Sequence, residues 1–269
     1  MKKLSLLICI FIIVSCAYEP QNELTIYTSR QPQLIEPIIE KFTDETGIKV
    51  NYLSGNAQEL MERIDVEGEK SPADIFMTVD AGVLWQAAER DIFETIDSDV
   101  LKNNIPSYLR DPNNQWFGLS KRARTIVFSN DQFSEDDFSS YEDLADPKWK
   151  GKLCLRTSKK VYNRSLMASM IDTYGFEKTK DVVSGWVSNL ATDVFSNDTN
   201  ALKAVSSGQC GMTIVNTYYF ARLLDDPQYD NLSLFWANQN DRGVHVNISG
   251  AGVVKTSENK KNAILLLEY

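Results

Sequence analysis

The stretch Leu24–Thr78 decides the fold, and it reads LTIYTSRQPQLIEPIIEKFTDETGIKVNYLSGNAQELMERIDVEGEKSPADIFMT. It contains three runs that are typical of strands, at residues 24–28, 48–53 and 74–78. The segments between these runs, Leu34–Phe42 and Ala57–Glu67, read as helices. This alternation of strand and helix predicts a parallel sheet with helical crossovers. In such sheets ligands lie beyond the carboxyl ends of the strands, so the loop Thr28–Gln31 is predicted to face a ligand.

A second strand–helix alternation follows in the other half of the chain. The residues from Phe117 to Phe128 suggest one long strand, and a new alternation begins after Trp149-Lys150-Gly151. We therefore predict two α/β lobes, each a mostly parallel sheet flanked by helices, with a ligand cleft between them. Lobe 1 is expected to comprise residues 23–124 and 235–269, and lobe 2 residues 125–234.

The first residues of the chain are predicted to be an export signal. Lys2 and Lys3 precede an apolar run, and a small residue, Ser15, stands just before Cys16. This pattern resembles a bacterial lipoprotein signal, which implies a signal peptide at residues 1–15, a lipidated Cys16 and a tether at residues 16–22. The alternative is an ordinary cleaved signal in which Cys16 is incidental. No other stretch approaches the ~18 apolar residues of a membrane-spanning helix.

The last ten residues, Lys260–Tyr269, look like the opening turns of an amphipathic helix. They end without a capping glycine or a terminal polar segment. The expectation is that the elements which normally follow are missing here, and that apolar surface is exposed on lobe 1 as a result.

Charge limits the partners of the protein. The 269 residues carry a formal net charge of −9, and loss of the signal with Lys2 and Lys3 makes the charge more negative. Such a surface repels nucleic acid and does not favour anionic lipid, although it is compatible with a cationic ligand.

Two cysteines remain once the signal is set aside, Cys154 and Cys210. Both lie in apolar runs that read as buried strands, and an even pair in an oxidising compartment favours a disulfide. The alternative is a pair of inert buried thiols. A cysteine–histidine metal site is not expected, because His245 is the only histidine.

The second half of the chain carries three notable tyrosines: Tyr162 in KVYN, and the adjacent Tyr218 and Tyr219 in VNTYYF. A phenol has a pKa near ~10 and is a poor ligand at neutral pH unless a highly charged cation stabilises its anion. Ferric iron is the biological ion best matched to phenolate oxygen. The tyrosines therefore predict a ferric site, the alternative being ordinary core or rim aromatics.

A family resemblance rests on six segments: Leu24–Phe42, Ser71–Ile75, Trp116–Arg124, Gly151–Arg156, Asn216–Tyr219 and Asn247–Gly250. They resemble bacterial periplasmic ferric-ion-binding proteins, the solute receptors of iron ABC importers, within the class II periplasmic-binding fold. The resemblance implies a non-enzymatic, monomeric receptor in the periplasm or at the cell surface. Its partner would be an ABC transporter permease, and its only link to the membrane a lipid anchor.

Carried over by position, the resemblance implies that Tyr162, Tyr218 and Tyr219 ligate Fe(III). The chain departs from many members of the family by having Gln31 in place of a histidine and Val79 in place of an acidic ligand. The pattern is similar to the subgroup that completes the site with a synergistic anion such as carbonate or bicarbonate. The residues expected to hold that anion are Arg30, Gln31 and Arg122, with Arg122 preferred to Arg124 for the cleft.

Two other functions remain open from the sequence. One is a receptor for an organic cation or a small oxyanion on the same fold, in which the aromatic side chains stack on the ligand. The other is an exported enzyme, although the sequence shows no nucleophile elbow, no His–Glu zinc motif and no catalytic triad. Histidine is the most common general acid or base in enzymes, and this chain has only one. A carboxylate-based hydrolase is therefore the remaining enzymatic option.

Overall fold

A computed structural model describes residues 22–269 of the chain. The predicted signal peptide and the predicted lipidation of Cys16 lie outside these residues. Both therefore stay predictions.

The described residues form eight strands, which include all three strands predicted in the opening stretch. The strands are β1 (Glu23–Thr28), β2 (Lys49–Ser54), β3 (Ile75–Thr78), β4 (Phe117–Ser129), β5 (Leu153–Cys154), β6 (Met212–Asn216), β7 (Leu232–Phe235) and β8 (His245–Val253).

Helices connect the strands, and across residues 22–269 there are nine α-helices. They are α1 (Glu36–Thr46), α2 (Ala57–Glu67), α3 (Ala81–Glu89), α4 (Asp99–Asn104), α5 (Val161–Tyr174), α6 (Phe176–Ser188), α7 (Asp198–Ser206), α8 (Thr217–Ala221) and α9 (Lys260–Glu268). No helix in this part of the chain has the length and apolar character needed to cross a bilayer.

The strands join in one mixed sheet in the order β2-β1-β3-β8-β4-β6-β5, with β7 also paired to β4. Pairing is parallel at both ends, where β1 lies between β2 and β3, and β5 pairs with β6. The expectation of mostly parallel pairing is wrong for the second half, because β4 is antiparallel to β6, β7 and β8. Antiparallel strands need no helical crossover, and β7 leads to β8 with no α-helix between them.

The two longest strands, β4 and β8, run side by side and connect the two halves of the molecule. Their register places Arg122 opposite Asn247 and Arg124 opposite His245. The strands approach closely at Gly250, where an added Cβ would lie only 2.5 Å from the carbonyl oxygen of Phe117. Glycine is therefore required at this crossing for steric reasons.

Two groups of hydrophobic clusters form the cores. One group packs α1, α2, α3 and α9 on β1, β3 and β8, with Phe42 and Phe76 fully buried. The other group packs α5, α6 and α7 on β4 and β6, and includes Phe235 and Ala237. The molecule thus has two separately packed α/β halves, while the exact bounds of the lobes stay a prediction.

A disulfide joins Cys154 of β5 to Cys210, with a Cα–Cα distance of 5.9 Å. The predicted pairing is confirmed. The bond ties the short strand β5 to the turn that precedes β6.

Helix α9 packs on the first half through Ala263 and Leu267, which are buried. A groove of about 750 Å³ lies beside it, lined in part by Ile38, Val100 and Tyr269. These three side chains are 54%, 45% and 44% exposed. Apolar surface is therefore exposed beside α9 on this half of the described chain.

Candidate metal centre

The three predicted tyrosines lie at the starts of two helices. Tyr162 is the second residue of α5, and Tyr218 and Tyr219 lie in the first turn of α8. All five residues of β6 are buried, and its last residue, Asn216, leads directly into α8. The buried strand thereby delivers the tyrosine pair to the carboxyl end of the sheet, where ligands bind in α/β folds.

The phenol groups converge. The rings of Tyr218 and Tyr219 lie 4.3 Å apart between centroids at an angle of 35°. Burial, and then the neighbouring phenols of Tyr162 and Tyr219, raise the pKa of Tyr218 far above its ordinary value of 10. The Tyr218 phenol is therefore neutral without a ligand, and only a strong cation would deprotonate it.

Guanidinium groups surround these rings. The Cζ atoms of Arg122 and Arg156 lie 5.1 and 5.3 Å from the ring centroid of Tyr162. Arg222 lies 5.4 Å from the ring of Tyr218 and 5.8 Å from that of Tyr219. A positive environment of this kind favours phenolate over phenol once a cation has displaced the protons.

The structure places Arg122 beside Tyr162. Its Nη1 donates to the carbonyl of Ile248 at 2.9 Å and its Nη2 to the carbonyl of Val79 at 2.6 Å. Its Nε–H has no partner among the described residues. Burial lowers the pKa of Arg122, while Tyr162 and Tyr218 act in the opposite direction. The unused donors of its planar fork are suited to an oxyanion.

Arg30 also faces the tyrosines, whereas Gln31 is directed to solvent. Burial lowers the pKa of Arg30, and the phenols of Tyr218 and Tyr162 oppose that shift. Its Nη1 donates to the hydroxyl of Ser120 at 3.2 Å. The Gln31 side chain is exposed and accepts a hydrogen bond from Gln33 at 2.8 Å. A role for Gln31 in holding an anion stays a prediction.

Other ligand types do not supply a competing metal site. Across residues 22–269 no three His, Cys, Asp or Glu side chains are grouped so that they could hold a metal ion. Asp80 is buried as the N-cap of α3 and accepts hydrogen bonds from Val83 and Asn247. The structure thus gives this carboxylate a structural role. The oxygen donors that converge are therefore phenols.

The residues behind the tyrosines were not identified from sequence. Arg124 is 1% exposed and Arg156 is 4% exposed, and both contact the buried carboxylate of Asp198. Asn163 and Asn216 also bind Arg124. The only signal in the sequence is adjacency, because Asn163 follows Tyr162 and Asn216 stands two residues before Tyr218.

A cleft of about 1390 Å³ opens beside this site, between the two halves. Its mouth carries four exposed cations for which the described part of the chain shows no ion pair: Lys121, Lys159, Lys160 and Arg164. Asp80 is the one carboxylate among the described residues that line the cleft. The cleft is therefore locally basic in an acidic protein.

Known proteins are similar to this chain over most of its length. Residues 27–269 match the family described as bacterial extracellular solute-binding protein. Iron uptake protein A1 of Synechocystis sp. is 46% identical over 255 residues, which cover 93% of this chain and 71% of that protein.

Two solved structures are also similar. A Trichodesmium protein (IdiA, FutA), solved in complex with iron and citrate ligands, has 45% identity and a TM-score of 0.84 over 92% of this chain and 80% of that one. A ferric binding protein from Campylobacter jejuni has 34% identity and a TM-score of 0.84 over 91% of this chain and 80% of that one. On the match of residues 27–269, this chain belongs to the bacterial extracellular solute-binding protein family.

Proposed function

We propose that this protein is an extracytoplasmic receptor that binds ferric iron through tyrosinate oxygens and delivers it to an ABC importer. The convergence of Tyr162, Tyr218 and Tyr219 among guanidinium groups carries the proposal. The similarity to proteins named for iron uptake and ferric iron binding supports it.

The charges of the proposed site balance. Three phenolates neutralise Fe³⁺, and a carbonate or bicarbonate bound as the synergistic anion would add negative charge. Arg30 and Arg122, which both face the tyrosines, would offset that charge and hold the anion. Phenolate is a hard ligand and favours the ferric over the ferrous ion.

Transport by such a receptor needs motion and a membrane partner. The two halves would close on the loaded site about the β4–β8 connection, in the hinge motion of binding proteins. The closed form would then be recognised by the permease. We propose that the receptor acts as a non-enzymatic monomer, held at the periplasmic or cell surface by lipid on Cys16.

A ferric titration tests the ligand set. Ferric citrate is added to the purified protein in bicarbonate buffer, and the visible absorption is followed. The expected result is a ferric–phenolate charge-transfer band that saturates at one equivalent and is lost in the Tyr218→Phe/Tyr219→Phe variant. Tyr174→Phe is the matched control, because Tyr174 is bound to Asp241 and Arg242 away from the site. A folded wild-type protein without the band would refute tyrosinate ligation.

The cleft supports a second candidate function. A volume of about 1390 Å³ lined by unpaired lysines and Arg164 is large for one ion and carbonate. A receptor for a small organic oxyanion on the same fold would use this space, which opens beside the tyrosines. Calorimetry with iron-free citrate distinguishes the two candidate functions, because only the second predicts tight binding of citrate without a metal.

A further inference from the structure

Behind the tyrosines, Arg124 joins the two segments that carry them. Its Nε and Nη2 donate to Oδ1 of Asn163 at 3.0 and 2.6 Å, and its Nη1 donates to Oδ1 of Asn216 at 3.1 Å. Asn163 is adjacent to Tyr162, and Asn216 stands two residues before Tyr218. One buried side chain therefore binds both tyrosine-bearing segments.

The guanidinium also determines which way each amide points. Arginine has only donors, so the amide oxygen of each asparagine must face it and the NH₂ group must face away. For Asn163 the NH₂ donates to the carbonyl of Arg156 at 3.0 Å. For Asn216 the NH₂ donates to the hydroxyl oxygen of Tyr218 at 3.4 Å.

The cluster is held in place by a single carboxylate. Asp198 is fully buried and pairs with Arg124 at 3.4 Å and with Arg156 at 3.1 Å. Arg124 also donates to the carbonyl of Ile214 at 2.9 Å. The guanidinium of Arg124 is bound on several sides and has little freedom to rotate. It therefore fixes the orientation of the Asn216 amide.

We propose that Asn216 is a positioning residue of the iron centre: held by Arg124, it directs an N–H at the Tyr218 oxygen and fixes that oxygen as an acceptor. This inference rests on the proposed ferric function, because it assigns a role only where Tyr218 is a ligand. The N–H would remain bound to the oxygen when the phenol becomes a phenolate. Charge-assisted hydrogen bonds are shorter, so the 3.4 Å contact would tighten in the loaded protein.

Two variants distinguish the contact of Asn216 with Arg124 from its hydrogen bond to Tyr218. Asn216→Leu removes both the contact with Arg124 and the donor to Tyr218. Asn216→Asp keeps an acceptor for Arg124 and removes the donor, and Arg124 can pair with the added negative charge. Loss of a group that orients a metal ligand typically lowers metal affinity by about 10- to 100-fold. We expect a loss of this size in both variants, measured by competition with citrate, and a shifted charge-transfer maximum in the iron-saturated proteins.

The matched control is Asn189→Leu. Asn189 is an equally buried amide of the same half, 2% exposed, and it donates to the carbonyls of Leu144 and Asp146. Its loss should reduce stability and leave the band unchanged, since a structural defect does not move a charge-transfer maximum.

The outcomes are distinguishable. If the wild-type protein forms no band, the ferric function and this inference both fail. If the wild type forms the band and both Asn216 variants match it in affinity and wavelength, only the positioning role fails. Wild-type behaviour in Asn216→Asp with a loss in Asn216→Leu would also overturn the proposal, because the donor to Tyr218 would then be dispensable.

Discussion

Arg122 and Arg124 lie on the same strand but make different contacts. Their spacing places both on the same face of β4, and both are buried. Arg122 bonds to two carbonyls and retains an unpartnered Nε–H, whereas Arg124 is occupied by Asn163, Asp198 and Asn216. The sequence preference for Arg122 as the cleft arginine fits these contacts, but it could not show that Arg124 organises the tyrosine segments.

His245 illustrates how surroundings set the charge of a side chain. Burial, followed by the guanidinium groups of Arg122, Arg124 and Arg242, lowers the pKa of His245 from 6.5 to about 4. Its Nε2 lies 3.2 Å from the hydroxyl of Ser165. The imidazole is therefore neutral at physiological pH.

This environment predicts a pH-dependent loss of stability in the iron-free protein. The unfolded chain takes up a proton near the ordinary pKa, whereas the folded protein does so only near pH 4. The contribution of neutral His245 to the free energy of unfolding is thus complete above about pH 6.5. It is lost as the pH falls, by roughly 2–4 kcal/mol in total. Urea unfolding at pH 7.5 and pH 4.5 measures it. His245→Gln should lose less stability over this interval, and an identical loss in both proteins would contradict the prediction.

Among the elements, α6 contains a glycine that packing requires. An added Cβ on Gly185 would lie 2.5 Å from Cβ of Ala145 and 2.8 Å from its carbonyl oxygen. Gly185→Ala gains about 1 kcal/mol of helix propensity, but overpacking costs typically 1–3 kcal/mol, so we expect net destabilisation. Thermal unfolding measures the effect. Ser184→Ala is the control on the same helix, where the side chain is exposed and a small stabilisation is expected.

The disulfide reinforces the attachment of the strand β5, which also pairs with β6. Strand β5 has only two residues, and the bond from Cys154 to Cys210 spans 56 positions. For a loop of this length the chain-entropy estimate is about 4 kcal/mol. We expect the Cys154→Ala/Cys210→Ala protein to unfold at a correspondingly lower denaturant concentration. A midpoint equal to that of the oxidised wild type would exclude a stabilising role for the bond.

At the scale of the whole molecule, Asn247 links the two halves. It accepts a hydrogen bond from the backbone N–H of Ala81, at the start of α3, at 3.2 Å. Its NH₂ donates to Asp80 at 2.9 Å and to Ser165 of α5 at 2.6 Å. One side chain on β8 therefore contacts a helix from each half.

We expect Asn247→Ala to loosen both helix starts together. The buried carboxylate of Asp80 would lose a donor, at a cost of about 1–3 kcal/mol. Hydrogen exchange should become faster at the N-terminal turns of both α3 and α5. In the control Asn189→Ala, whose bonds stay within one half, these turns should remain protected. Faster exchange at only one of the two helices would argue against a link.

Much of this architecture could be predicted from the sequence, and the exceptions have a physical cause. Strand–helix alternation, the tyrosine set and the cysteine pair are local patterns, and they predicted the α/β halves and the disulfide. Antiparallel pairing of β4 with β8 joins residues more than a hundred positions apart, so no local pattern reports it. The contacts of Arg124 with Asp198 and Asn216 also join distant residues, 74 and 92 positions apart.

The residues of the proposed site come from both halves, and this affects how the bound ion and anion would be released. Tyr162, Tyr218 and Tyr219 belong to α5 and α8 of the second half, whereas Arg30 follows β1 in the first. In the proposed receptor, separation of the halves would thus draw Arg30 away from the anion while the three phenol oxygens stay together. Unloading would then begin with weaker binding of the anion, and the metal would follow when reduction or a competing chelator removes it from an otherwise intact set of ligands.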